Sequence, residues 1–235
     1  MDILLIGGLW LDASAWDEVT PAIEALGHRP VPVALPGQGD GNAAATLADQ
    51  VAAVLAAVDA ADGTPLVAGH SAACTLAWLA ADARPDKVGK VAFIGGFPAA
   101  DGDAYADFFE AVDGVVPFPG WAPFEGPDAA DLGEEARRRF AAAAVPVPEG
   151  VAKGVVRLTD ERRFGVPAVV VCPEFSPAQA REWIDDGDDA ELARVKHLDL
   201  VDLDSGHWPM FTQPVELARL LAAAADGTPD GLATR

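Results

Sequence analysis

The stretch Leu66-Val67-Ala68-Gly69-His70-Ser71-Ala72-Ala73-Cys74 decides how this chain is read. An apolar run of strand type leads into a serine flanked by small residues, and an alanine-rich helical segment begins at once. A serine hydroxyl is a weak nucleophile until it is held exposed, beside a base and beside donors for the developing oxyanion. A sharp strand-to-helix elbow supplies that placement. The elbow strains the backbone at the serine, so the residues two before and two after must be small to let strand and helix approach. Here they are Gly69 and Ala73. The N–H of Ala72 opens the helix, where free donors and the helix dipole favour an anion. Short motifs of this kind also recur by accident, so the rest of the chain has to supply the partners.

Three further pieces do so. Asp2 to Ile6 is an apolar strand followed by Gly7-Gly8-Leu9-Trp10. Val166 to Val171 is another, ending in Cys172-Pro173-Glu174-Phe175. Leu198 to Leu203 is a third, followed by Asp204-Ser205-Gly206-His207-Trp208-Pro209.

With these residues in view, the chain resembles the α/β-hydrolases, and within them the compact esterase and hydroxynitrile-lyase branch. That branch opens with a His-Gly-small-Trp segment and a second Trp. Gly7-Gly8-Leu9-Trp10 and Trp16 stand there, with Gly7 where the family has His. The family's Gly-x-Ser-x-Gly is similar to Gly69-His70-Ser71-Ala72-Ala73, with Ala73 in place of the second Gly. Leu35-Pro36-Gly37-Gln38-Gly39-Asp40 resembles the family's Leu-Pro-Gly-His-Gly-Asp turn, and Gly206-His207 matches the histidine loop. The likeness runs over about residues 2–225. It implies a triad in the chain order serine, acid, histidine. It is specific for fold and much less so for substrate.

The expected fold class is α/β: a mainly parallel six-stranded sheet with helices on both faces and a cap insertion. Strand-like and helix-like segments alternate, as such a sheet requires. The strands are expected over 2–7, 30–35, 65–70, 90–96, 167–172 and 198–203. The helices are expected over 14–26, 45–61, 72–83, 177–186 and 213–225. Residues 1–97 and 166–226 would form the core and 98–165 the cap, with 227–235 a fraying tail. The insertion carries Phe108, Phe109, Phe118, Trp121, Phe124 and Phe140 among many prolines. Asp131, three residues before Glu134, reads as the N-cap of a helix reaching about Ala144.

At 235 residues the chain suits one domain with a sizeable core. Half of it is hydrophobic, yet no apolar run is long enough to span a bilayer. It enters a strand without a charged leader and signal core, and its two cysteines, Cys74 and Cys172, form neither a disulfide framework nor a metal cluster. The expectation is a cytoplasmic protein. A net charge of −21 argues against nucleic acid and anionic membrane surfaces as partners. The expected partner is a small-molecule ester, and the expected state a monomer or homodimer. Neither the Gly7-Gly8 turn nor Gly37 to Gly41 has dinucleotide-binding spacing, and no metal motif occurs, so no cofactor is implied.

Four histidines allow elimination. His28 begins the second strand and His197 enters the last, both at the wrong end of the sheet. His70 sits beside the serine but leaves the elbow in another direction, which suits a pocket wall. His207 follows the last strand, at the edge where α/β sheets bind ligands. It is the expected base for Ser71. The expected acid is Glu174, with Asp101, Asp103 and Asp204 as alternatives. The oxyanion donors would be the backbone N–H groups of Leu9 and Ala72. Trp10, His70, Phe97, Trp121 and Trp208 would border the substrate.

These residues imply a serine hydrolase acting on small, largely apolar carboxylic esters through an acyl-enzyme. A lactonase, a thioesterase, a hydroxynitrile-lyase-type enzyme and a hydrolase-like binding protein are the alternatives. The lyase chemistry of the family leans on a lysine near the substrate, and Leu200 to Gly206 contains none.

Overall fold

The computed structural model describes residues 1–227. The tail expected to fray lies, beyond Gly227, outside the described residues. Along the chain the strands are β1 (Asp2–Ile6), β2 (Arg29–Pro32), β3 (Leu66–His70), β4 (Lys90–Ile94), β5 (Val115–Val116), β6 (Val147–Pro148), β7 (Ala168–Cys172) and β8 (Leu198–Asp202). The α-helices are α1 (Thr20–Ala25), α2 (Leu47–Ala60), α3 (Ala73–Ala83), α4 (Glu134–Ala143), α5 (Glu149–Ala152), α6 (Pro177–Asp186), α7 (Pro209–Thr212) and α8 (Pro214–Asp226).

Six strands form one sheet in the order β2-β1-β3-β4-β7-β8, and every neighbouring pair is parallel. The apolar runs explain this architecture. Along β1, Leu4 and Ile6 pack into one core while Ile3 and Leu5 pack into the other. β4 repeats the pattern, with Val91 and Phe93 on one side and Ala92 and Ile94 on the other. A strand buried on both faces must be apolar at every position, which is why these segments read as continuous runs. α2, α3 and α6 cover the first face; α1 and α8 pack together over the second.

Local chemistry fixes the helix ends. Thr46 and Asp49 form a reciprocal capping box at the start of α2, and Ser176 and Gln179 do the same for α6. Leu47, Val54 and Val58 are the buried face of α2. The helix expected over 14–26 is broken in two. Asp12 caps a 3₁₀ turn over Ala13–Trp16, and α1 starts afresh at Thr20. Pro21 has no N–H to donate back to Asp17, so one continuous helix is excluded.

Residues 98–165 separate β4 from β7. They hold α4, α5 and a two-stranded antiparallel pair, β5 with β6. Trp10 ties this insertion to the sheet: its Nε1–H donates to the Val116 carbonyl at 3.2 Å, and its own carbonyl accepts from the Val145 N–H at 2.9 Å. An aromatic cluster completes the seam. Phe118, Phe124 and Phe140 pack edge-on or tilted against Trp10, Trp121 and Trp208, with ring centroids 5.2–5.8 Å apart. The N-cap expected at Asp131 does not form. Gly133 occupies the N-cap position of α4 and no side chain caps the helix.

Candidate active site

The site grows from the parallel sheet. Because β1, β3, β7 and β8 run the same way, the loops that follow them meet at one edge. Ser71 follows β3, Glu174 follows β7 and His207 follows β8.

Ser71 is held at φ 55°, a left-handed conformation that costs a non-glycine residue about 1–3 kcal/mol. The strain persists because the neighbours over-determine it. The Ser71 N–H donates to the Ile94 carbonyl at 2.8 Å. α3 begins immediately and is buried over most of its length. A Cβ on Gly69 would overlap the Ala73 carbonyl, so glycine is required there by the approach of strand and helix. Trp10, in the loop after β1, is the other strained residue of the site, at φ 63°.

Three side chains form one hydrogen-bonded row. His207 Nε2 lies 2.9 Å from Ser71 Oγ, and His207 Nδ1 lies 2.5 Å from Glu174 Oε1. Both the imidazole and the carboxylate are largely buried. The alternative acids stand elsewhere. Asp101 accepts the Leu158 N–H at 2.9 Å within the insertion, Asp103 is exposed at a cavity wall, and Asp204 is exposed. Asp204 sits three residues before His207, but its carboxylate makes no hydrogen bond or ion pair with the ring among the described residues.

His70 is almost completely buried and packs against His207, ring centroids 4.9 Å apart. Its Nε2 lies 2.7 Å from the His207 carbonyl. A carbonyl only accepts, so Nε2 carries the proton and Nδ1 is left as a bare lone pair, without a partner among the described residues. Burial, followed by the charge on His207, lowers the His70 pKa to about 3. The ring is therefore neutral at ordinary pH. Cys74, fully buried on α3, has its thiol pKa pushed up by desolvation, so it is no rival nucleophile. Cys172 is raised to about 12 for the same reason.

The backbone N–H groups of Leu9 and Ala72 donate to nothing among the described residues. Two cavities open onto Ser71. The smaller, about 210 Å³, is walled by Leu9, Trp10, His70, Phe109, Phe124 and Trp208. The larger, about 780 Å³, runs from Ser71 past Phe97 and Tyr105 to Asp103, Asp107 and Asp189. Among the described residues, neither wall contains a lysine or arginine. Desolvation raises the Asp189 carboxyl to about 6.

Of the residues expected at the substrate, Trp10, His70 and Trp208 line the small cavity and Phe97 the large one. Trp121 is the exception and corrects the expectation. It lines neither cavity, because it packs edge-on against Trp208 at 5.3 Å and its Nε1–H donates to the Arg137 carbonyl at 3.3 Å. Trp208 thus stands between it and the site. Asp128 was missed. It lies in the wall of the small cavity with its pKa raised by burial. Nothing in the local sequence marks it, because only the fold of the insertion brings it there.

The model of the α/β hydrolase family matches residues 3–220, and the chain belongs to that family. No curated protein matches it in sequence. Among solved structures it is similar to an extracellular α/β-hydrolase from a Paenibacillus species, with 19% identity, a TM-score of 0.78, and 96% of this chain and 98% of that one covered. It is also similar to a pyrethroid hydrolase from Sphingobium faniae JZ-2 (22% identity, TM-score 0.69, 98% and 99% covered) and to a methylesterase from Arabidopsis (16%, 0.72, 97% and 99%). At these identities the likeness is one of fold.

Proposed function

We propose that the protein is a serine hydrolase that cleaves small, largely apolar carboxylic esters through an acyl-enzyme. The observation that carries this reading is the row Ser71 Oγ, His207 Nε2, His207 Nδ1, Glu174 Oε1, beside two unengaged backbone donors. In the first step Ser71 Oγ attacks the ester carbonyl carbon while His207 Nε2 takes the hydroxyl proton. The carbonyl oxygen becomes an oxyanion and is met by the N–H groups of Leu9 and Ala72. Glu174 holds the Nδ1–H tautomer and stabilises the imidazolium. The proton then passes from Nε2 to the departing alkoxide, leaving an ester on Ser71. Water, deprotonated by the same nitrogen, attacks that ester and releases the acid, and the proton returns to Ser71 Oγ.

The cavities bear on the substrate. An aromatic pocket of about 210 Å³ suits the shorter arm of an ester, and the open cleft of about 780 Å³ the longer. With no cation in either wall, an anionic substrate has nothing to pair with. The same lack supports hydrolysis over the lyase chemistry that leans on a lysine. The insertion, which supplies Phe109 and Phe124 to the small cavity, acts as a cap.

A fluorophosphonate probe tests the reading. It is expected to label Ser71 stoichiometrically and to abolish cleavage of p-nitrophenyl esters. An acyl series from acetate to decanoate, run beside thioesters and lactones, then assigns the preferred class. Labelling at any other residue, or no turnover of any of these compounds by labelled-competent protein, would overturn the proposal.

A further inference from the structure

We propose that Asp131 is a positioning residue for His207, reaching from the insertion to hold the histidine loop in place. The proposal rests on the reading of Ser71 and His207 as the reacting pair.

Asp131 does not cap α4. Its Oδ2 instead accepts two hydrogen bonds from the loop after β8: the Gly206 N–H at 2.8 Å and the Ser205 Oγ–H at 3.1 Å. Three residues earlier in the insertion, the Asp128 carbonyl accepts the His207 N–H at 2.7 Å. Ser205 Oγ has one proton, set between the Asp131 carboxylate and the Gly206 carbonyl 3.0 Å away, and the charged carboxylate is the stronger acceptor. Its lone pairs remain free to accept from Thr212 Oγ1, 2.9 Å away.

Gly206 records how tightly the two segments fit. It is buried, and its φ is not positive, so its conformation does not call for glycine. A Cβ there, however, would overlap the Asp131 carboxylate and the Asp128 carbonyl. Glycine stands at 206 because the insertion comes so close. On the other side, Arg137 of α4 braces the turn that presents Asp131. It donates Nε–H to the Leu132 carbonyl at 2.9 Å and an Nη–H to the Ala129 carbonyl.

His207 is thereby anchored at every polar group, by three segments: the β3 elbow, the loop after β7 and the insertion. Ser71 and Glu174 take the ring, His70 takes the carbonyl, and the insertion takes the N–H. A serine–histidine pair works only while Nε2 stays within hydrogen-bond reach of Oγ, and displacements of about 1 Å at such a pair cost about a hundredfold in rate. Asp131 fixes residues 205 and 206 and so sets where the 207 ring starts from.

The test compares Asp131→Ala and Asp131→Asn with the wild type by steady-state hydrolysis of a p-nitrophenyl ester and by amide hydrogen exchange of residues 203–210. Asn keeps an oxygen that accepts the Gly206 N–H, and Ala removes it. Asp131→Ala is expected to lower kcat about tenfold to a hundredfold with KM within about twofold, and to speed exchange at Gly206 and His207. Asp131→Asn is expected to recover kcat to within about threefold of wild type. Equal losses in Ala and Asn would overturn the proposal in favour of a charge effect on the imidazole. An unchanged kcat with unchanged exchange in Ala would overturn it outright. If the wild type turns over no ester, the hydrolase reading fails, while the exchange arm still decides whether Asp131 holds the loop. If Asp131→Ala does not fold, Ser205→Ala carries the test: a kcat lowered about threefold supports the proposal and an unchanged kcat overturns it.

Discussion

At the scale of single residues, Glu174 and His70 do opposite things for His207. Glu174 Oε1 receives the Nδ1 side of the ring, while its Oε2 is buried without a hydrogen-bond partner among the described residues. A carboxylate so placed is oriented by one bond and favours a positive imidazole. Glu174→Gln is expected to keep the fold and the KM but to lower kcat by more than about a hundredfold, since the amide no longer supports the imidazolium. A kcat within tenfold of wild type would sink that role. His70, by contrast, must stay neutral. Unfolded, it takes up a proton near its ordinary value of 6.5; folded, only near 3. Between those values the unfolded state binds more protons, so stability falls as pH drops through that window. Asp189 works the other way. Its carboxyl is raised to about 6, so its contribution is present in acid and is lost as pH rises through that value. Replacing His70 separates the two. His70→Gln is expected to lose less of its urea-denaturation midpoint than wild type between pH 7 and 4.5. An equal or larger loss would show that His70 is not the acid-sensitive group.

At the scale of elements, a buried ionic knot locks α3 to the segment before β7 and the turn before β8. Arg163 lies 3.2 Å from Asp82 of α3 and 2.9 Å from Glu191, and all three side chains are buried. Trp78 of α3 donates its Nε1–H to Glu191 at 2.8 Å, and Asp82 also accepts the N–H groups of Thr159 and Asp160. The carboxylates are therefore satisfied by several donors, as burial of charge demands. Breaking one member of such a group leaves the others unpaired in a low-dielectric interior, which costs about 3–5 kcal/mol. Glu191→Ala is expected to lose that much unfolding free energy in a denaturant titration. A loss below about 1 kcal/mol would mean that water replaces the carboxylate without penalty.

At the scale of the whole molecule, charge dominates. The net charge is −21, and the large cavity carries acidic residues toward its far end with no lysine or arginine among its described lining residues. The summed field raises the local concentration of cationic solutes and lowers that of anionic ones, and salt screens it over about 8–10 Å. Among esters of matched size, kcat/KM is expected to fall in the order amine-bearing, neutral, carboxylate-bearing at low ionic strength. The spread should narrow when salt is raised to about 0.5 M. A ratio indifferent to salt would show that contacts inside the cleft, not the field, discriminate between substrates. No helix among the described residues is long and apolar enough to cross a membrane.

The sequence alone determined the sheet and the frame of the site. The central strands β1, β3, β4 and β7, buried on both faces, are written as largely apolar runs, and a serine elbow needs Gly69 and a small residue at 73, so both are visible in local composition. The chain order from Ser71 to His207 followed from the same runs. What only the tertiary structure decided are the meetings between loops that are far apart in sequence. Glu174, Asp101, Asp103 and Asp204 are all acids near strand ends; the one beside His207 is Glu174 because β7 and β8 are neighbours in the sheet. Trp121 and Trp208 are both aromatic, yet only Trp208 reaches the cavity, because the packing of the insertion puts one behind the other. Asp131 carries a helix-capping spacing and spends its carboxylate on Gly206 instead, 75 positions away. A cap within three residues contributes about 1 kcal/mol. A pair of hydrogen bonds to a charged carboxylate, one of them from the N–H of buried Gly206, outweighs it. Local pattern registers the first kind of interaction and is blind to the second.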